Sequence, residues 1–428
     1  MSARRAAVIL GVISVFLYGY TVPGIELNLF LGLFVLVAAA FLMWLAEGTV
    51  IISRTVLLGL LFIVSFGVIG VLLGRGSFGN YIVQVVGITL ATLSAAIVLV
   101  GAGTDAARVF RTYLELSVVF ALIAILESVL GLFGIYFEFL TPRLEYAVLN
   151  LHRVSGLAGE PAHFCFLMTP SVVAIIVSTA MNRPCLSPLK AAAVLLAYVL
   201  TFSSVGFFML ALTVLVMLFR RGSASSTAIK WALAVVVAGV FFAIPQINQR
   251  IVDTYMIFLV SEQAAADEEA NISSLTLFKN FLVAVRSARD QPLVGAGLGG
   301  HEQNFYRYLP KSLQEIGPNL NEKDANSLFL RLISEFGLPF TVLFYAIVLA
   351  LWTGLPRQSD ANPVFWKKLT STAILGLVIA NSLRSGNYLN HGFPFFLVLY
   401  FLTSRSLRFG DAVYGTTSAP SPRAQIAQ

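Results

Sequence analysis

The chain carries run after run of about 18 or more residues almost free of charge, each long enough to cross roughly 30 Å of hydrocarbon. Water gives such runs nowhere to go. Of the 428 residues, 58% are apolar and 11% charged, and the mean hydropathy is +0.85, so a soluble fold would be left with large exposed apolar patches. A soluble protein with an enlarged core would show charged helix faces, and a transmembrane barrel would show alternating strands of about ten residues. Neither pattern is present. The expected fold class is an all-α polytopic membrane protein.

Spans are expected near 6–22, 24–46, 55–74, 80–102, 110–137, 161–181, 188–203, 205–219, 230–246, 326–352, 367–383 and 391–404. Residues 188–219 would read as one long helix, but Ser203 and Ser204 interrupt it, and a polar turn there keeps the count even at twelve. Arg4 and Arg5 before an apolar run resemble a signal peptide; more spans follow at once and no small-x-small cleavage site is clear, so the first run reads as a retained helix. Cys165 and Cys185 lie in or beside apolar segments and imply neither a disulfide framework nor a metal site.

A net charge of +7 would suggest nucleic acid until the charges are placed. They flank the spans, which points to anionic membrane lipid and to no nucleic-acid partner. Arg4, Arg5, Arg54, Arg108, Arg111, Arg183, Lys190, Arg220, Arg221, Lys230, Arg357, Lys367, Lys368, Arg405, Arg408 and Arg423 all fall on one side. By the positive-inside rule that side is cytoplasmic, with both termini on it. The expected organisation is 1–137, helices one to five; 138–246, an external loop and helices six to nine; 247–325, a large external loop; 326–405, helices ten to twelve; and 406–428, a disordered tail rich in Ser, Pro, Ala and Thr. No internal repeat is visible.

The large loop has an acidic patch (Glu262, Asp267, Glu268, Glu269), then Leu275, Phe278, Leu282 and Val285 at helical spacing. Such a helix lies on a membrane surface or caps a cavity. Farther on, Gly295 to Gly300 matches a dinucleotide-binding glycine pattern but lacks its βαβ context, so it reads as a tight turn or a backbone-amide nest for an anion.

Ionisable residues gather at the external mouths of the spans. Arg153, Glu160 and His163 lie among glycines just before and within the sixth span, with Pro161 suited to a first helical turn. Glu160 and His163, three apart, share a helix face. Asn326 or Ser327 caps the tenth span, inside which Arg331 and Glu335 stand four apart, as a structural pair or a functional one. Arg384 and His391 flank a short external turn, where an arginine commonly clamps an anion. No HExxH, paired-histidine or Asp-x-Asp pattern occurs on an external loop, so no metal or cofactor is expected, and cationic side chains remain the counter-charge for a phosphate group.

With these residues in view, the chain resembles the O-antigen polymerase and O-antigen ligase superfamily of bacterial membrane glycosyltransferases. Arg153 to His163 resembles the family's Arg…Gly…Pro stretch before a span, in the Glu160-Pro161 form that suits exopolysaccharide polymerases. Leu200 to Gly206 is similar to its Thr-x-Ser-Arg turn, with Ser204 in place of arginine. Asp290 to Gly297 resembles the Pro-x-x-Gly-x-Gly signature closing the large loop, and Asn326 to Gly337 the His-Asn…Glu-x-Gly start of the next span. The likeness covers roughly 140–400. Where the ligase pattern has histidine this chain has Asn326, and where it has arginine the nearest cation is Lys279, so the polymerase is preferred.

The resemblance implies an all-helical membrane fold of the GT-C type in the bacterial inner membrane, active on the periplasmic face. It implies transfer of glycan from an undecaprenyl-diphosphate carrier to another lipid-linked repeat unit, with a chain-length regulator protein as a further partner. Under it, Arg153, Lys279, Arg286 and Arg384 hold the diphosphate, Glu160 and His163 orient or deprotonate the acceptor, and Asn326, His301 and Arg331 bind substrate. Two alternatives stay open: ligation of glycan to lipid A core or protein, and a lipid-linked oligosaccharide flippase or transporter. A transporter would need charges near the midplane of several spans, whereas this chain concentrates them at one face.

Overall fold

The computed structural model describes residues 2–17, 31–50, 52–103, 106–135, 153–219 and 272–409, with single positions at 231, 235 and 239. Every regular element among them is a helix. In chain order these are α1 (Ala3–Phe16), α2 (Leu31–Glu47), α3 (Arg54–Leu72), α4 (Phe78–Gly101), α5 (Ala106–Leu132), α6 (Pro161–Ala180), α7 (Pro188–Leu200), α8 (Ser204–Leu218), α9 (Ile272–Asp290), α10 (His301–Tyr308), α11 (Lys311–Gln314), α12 (Leu328–Leu351), α13 (Asn362–Arg384), a 3-10 turn (Asn390–Gly392) and α14 (Phe393–Phe409). Six of them, α3 to α6, α12 and α13, are long and apolar enough to cross a membrane. The protein is a helical, membrane-embedded chain.

Five further predicted spans coincide with the shorter helices α1, α2, α7, α8 and α14. The ninth predicted span, apart from three single positions, lies outside the described residues, as do the acidic patch at 262–269 and the tail from 410. The thirteenth helix starts at Asn362, ahead of the predicted 367, because Pro363 suits the first turn and Lys367 and Lys368 sit inside the helix rather than bounding it. Thr201 to Ser203 do divide α7 from α8, with Phe202 at φ 45°.

The sixth helix is the hub. It is buried almost all round, as expected of an apolar helix at the centre of a bundle, whereas α3 is largely uncovered. Small residues let its neighbours close in: Ser171 Oγ lies 2.6 Å from Ser117 Oγ on α5, and a Cβ on Gly376 of α13 would meet Val173 at 2.8 Å. At the far end of α6 and α13 the charges are basic and engaged. Arg183 donates to the Asp360 carbonyl (2.6 Å) and covers the Phe365 ring, and Lys368 pairs with Asp360 at 3.0 Å.

The twelfth helix is broken at Gly337 (φ 80°, ψ 178°), just before Pro339. A break there orphans carbonyls that lipid cannot satisfy. The glycine-rich turn supplies the missing donors: Ala296 N donates to Ser334 O (3.0 Å), and Gly297 N donates to Glu335 O (2.7 Å). Leu338 N in turn donates to Pro292 O (2.9 Å), and Leu298 N reaches Gly67 O of α3 (3.0 Å). The glycines are required by proximity, since a Cβ on Gly295 would sit 2.2 Å from Ser334 O. The turn is therefore tight as expected, but the amides of residues 296–298 are taken by protein carbonyls and form no nest for an anion.

The α9 helix bridges two layers. Its Leu275, Phe278 and Val283 pack on Phe305 of α10, Leu309 just after it and Leu313 of α11, and Ala284 packs on Leu330 and Ile333 of α12. Leu282 and Val285, expected on the buried stripe, are only partly covered, because two partners flank the helix and shift its buried face toward Val283 and Ser287.

Candidate functional site

The starts of α6, α8, α9 and α12 and the end of α13 meet around one polar cavity of about 480 Å³. Arg153 and Glu160 enter from the stretch leading into α6, His163 from its first turn, Asn326 from the approach to α12, and Arg384 from the end of α13. Charged side chains scattered over more than two hundred positions of sequence thus share one space, with Ser273 and Thr276 of α9 roofing it.

The Arg153 loop is held from below by Glu127 of α5. Its carboxylate accepts from Gly156 N (2.7 Å), Ser155 N (3.2 Å) and Ser155 Oγ (3.3 Å). Gly156 at φ 53° makes the bend. Arg153 then donates through Nε to the Thr201 carbonyl at 3.0 Å, tying the loop to the α7–α8 turn. Glu160 stands at the mouth of α6, its carboxylate 3.7 Å from His163 Nε2. Behind His163 lies His391, the ring centroids 4.9 Å apart and edge to face. His391 is buried at φ 58°, stacked on Phe166, with Nδ1 3.3 Å from Asn381 Oδ1.

Arg384 donates through Nη1 to the Ser273 carbonyl (3.0 Å), and its Nη2 meets Ser273 Oγ. The same arginine therefore lines the cavity and anchors the helix that roofs it. Ser327 is the cap of α12, its Oγ accepting from Leu330 N (3.3 Å) and donating to Ser382 O (2.5 Å). Asn326, the other predicted cap, is instead left-handed at φ 53°.

Four residues expected to contact substrate lie elsewhere. Lys279 is buried, donating to Ile316 O (2.6 Å) and Asn319 Oδ1 (3.1 Å), which fastens α9 to the loop behind it; burial lowers its pKa. Arg286 donates to Tyr308 O at 3.0 Å. His301 is fully buried between Ser334 Oγ (2.9 Å) and Asn280 Oδ1 (2.8 Å), where burial first and Arg331 second push its pKa down to about 3 and keep it neutral. Each of these caps or bolts the lobe on α9 to α11, because an amphipathic helix wedged between two layers turns its polar groups into protein as well as solvent.

Arg331 lies behind the cavity wall. Its Nε donates to Glu335 Oε1 (2.9 Å), its Nη1 donates to the Gly386 carbonyl (3.0 Å), and its guanidinium covers the Tyr388 ring at 4.1 Å. Tyr388 completes the set by donating to Glu335 Oε2 (2.8 Å). On the other side of this wall is a second cavity of about 210 Å³, almost wholly apolar, between α3, α4, α12 and α14, with Tyr388, Phe336 and Phe340 on its surface.

Asp324 opens the stretch 324–337 that the sequence singles out, but carries no expected role there; it also lines the polar cavity. Burial raises its pKa above the ordinary aspartate range, while Arg331, the Asn326 amide and His163 pull the other way. The available signal was a lone acid two residues before Asn326 at a helix mouth. Its turn is crowded: a Cβ on Gly386 would fall 1.5 Å from the Asp324 carbonyl oxygen. Gly386→Ala is expected to destabilise at or above the upper end of the ~1–3 kcal/mol typical of overpacking. Thermal melting in detergent reads this directly, and an unshifted midpoint would contradict the contact.

No protein-family model matches the chain, and no curated protein matches it.

Proposed function

We propose that the chain is a polymerase of lipid-linked polysaccharide repeat units, of the O-antigen or exopolysaccharide kind, that transfers glycan from an undecaprenyl-diphosphate donor to a lipid-linked acceptor. The observation carrying this reading is the meeting of Arg153 and Arg384 with Glu160, His163 and Asn326 in one polar cavity. Two arginines suit a diphosphate whose charge grows as it departs, and carboxylate, imidazole and amide groups suit a sugar hydroxyl.

The reading includes about twelve spans in a GT-C-like arrangement in a bacterial inner membrane. The cavity lies at the opposite end of α6 and α13 from Arg183 and Lys368, which under the positive-inside rule supports a periplasmic site.

In the transfer the acceptor oxygen attacks the anomeric carbon, its proton passes to a carboxylate of the cavity, and the bond to the diphosphate breaks with its electron pair leaving on phosphate. Purified protein in lipid nanodiscs, given the polyprenyl-diphosphate glycan extracted from cells lacking this chain, is expected to make a ladder of longer lipid-linked products and to release free polyprenyl diphosphate. Absence of both, alongside movement of the intact glycan-lipid across vesicles, would overturn the reading in favour of a flippase.

A further inference from the structure

The approach to α12 is strained in a way the helix itself does not require. Asn321, Ala325 and Asn326 hold φ of 58°, 60° and 53°, a region that side chains disfavour and that persists only where the surroundings impose it. Here they do. Ser327 is bonded to Ser382 O, and the absence of a side chain on Gly386 lets the 384–388 turn press against the Asp324 carbonyl.

The product of that strain is the position of one carboxyl group. Asp324 lines the polar cavity, and its Oδ1 accepts from the Asn326 amide at 3.1 Å. Its other oxygen has no hydrogen-bond partner among the described residues yet is not sealed in. Nor does Asp324 form a direct ion pair among them, whereas Glu160, the other cavity carboxylate, is paired with His163 and 40% exposed at the mouth.

Resting on the polymerase reading above, we propose that Asp324 is the catalytic base of the transfer. Its carboxylate takes the proton of the acceptor hydroxyl as that oxygen bonds to the anomeric carbon, and the carbon–oxygen bond to the diphosphate breaks with its electrons leaving on phosphate. The proton then passes from Asp324 to water. Glu160 and His163 orient the acceptor, and Arg153 and Arg384 receive the leaving charge. A carboxylate raised by burial is a stronger base than an exposed one, and the Asn326 amide, His163 and Arg331 keep it ionisable. Arg331 is committed to Glu335 and the Gly386 carbonyl, so it tempers this charge without neutralising it.

The test compares wild type, Asp324→Asn, Asp324→Glu and Glu160→Gln in nanodiscs with the same extracted glycan-lipid, following kcat and KM against pH. Asp324→Asn is expected to lower kcat by about 100-fold or more with KM little changed, and Asp324→Glu to regain part of the loss. Wild-type kcat should fall toward acid with an apparent pKa above the ordinary aspartate value of about 3.9, because the base must be ionised. That acidic limb should persist in Glu160→Gln and vanish from the residual rate of Asp324→Asn. An active wild type whose Asp324→Asn keeps its kcat, or whose acidic limb disappears with Glu160 instead, overturns the proposal alone. A folded wild type that binds the glycan-lipid and never transfers it overturns the polymerase reading, and this proposal with it.

Discussion

Arg153→Ala and Arg384→Ala, each made singly in protein that accumulates normally, are expected to lower polymer formation by about 100- to 1,000-fold, the usual cost of deleting one preorganised donor to a developing anion. Both guanidiniums line the cavity and both are already tethered, Arg153 to the Thr201 carbonyl and Arg384 to Ser273. Tethering matters because a cation held in place needs no reorganisation when charge appears. If the arginines act mainly in the transition state, kcat and kcat/KM fall together. Lysine at either position keeps the charge but loses the planar fork and should recover only part of the rate. Arg286→Ala is the control, since that side chain serves the Tyr308 carbonyl away from the cavity. Normal polymer length in both cavity variants would sink the clamp.

The largest effect on stability is expected at Arg331. Arg331→Met leaves Glu335, wholly buried, with Tyr388 as its remaining side-chain partner and removes the donor to the Gly386 carbonyl. Uncovering one member of a buried pair costs about 3–5 kcal/mol. Replacing both members with apolar residues of similar size is often close to neutral, so Arg331→Met with Glu335→Leu should regain much of the loss. The comparison is made by thermal melting in detergent. A single variant that melts with wild type, or a double variant worse than the single, would show that the pair is not what holds the wall.

How much of this was legible depends on what kind of signal each residue leaves. Charge-free runs mark membrane helices whatever their neighbours do, and Ser203 and Ser204 mark a turn because a polar pair interrupts such a run. Arg153, Glu160, His163, Asn326 and Arg384 drew notice because ionisable or amide groups at apolar helix mouths are costly unless used. Direction is another matter. Lys279 and Arg286 looked the same in sequence as cavity cations, and only the packing of α9 between two layers turns them to backbone carbonyls. Glu127 left no cue beyond being an acid inside an apolar run, since its partners at 155–156 belong to a separate loop. Asp324 owes its position to Gly386, far along the chain.

The break in α12 also dictates an order of assembly. A continuous helix can enter a bilayer as a finished object, its backbone satisfied from within. This one cannot, because the donors that complete Ser334 and Glu335 come from residues 296 and 297, and the Leu298 amide is in turn secured by Gly67 of α3. Three stretches of chain made at different times must therefore come together before any of them is complete. The carbonyls left open at the break in 328–351 are satisfied only when the turn at 292–300 is docked on them, so a polypeptide cut between the two would hold an unfinished helix.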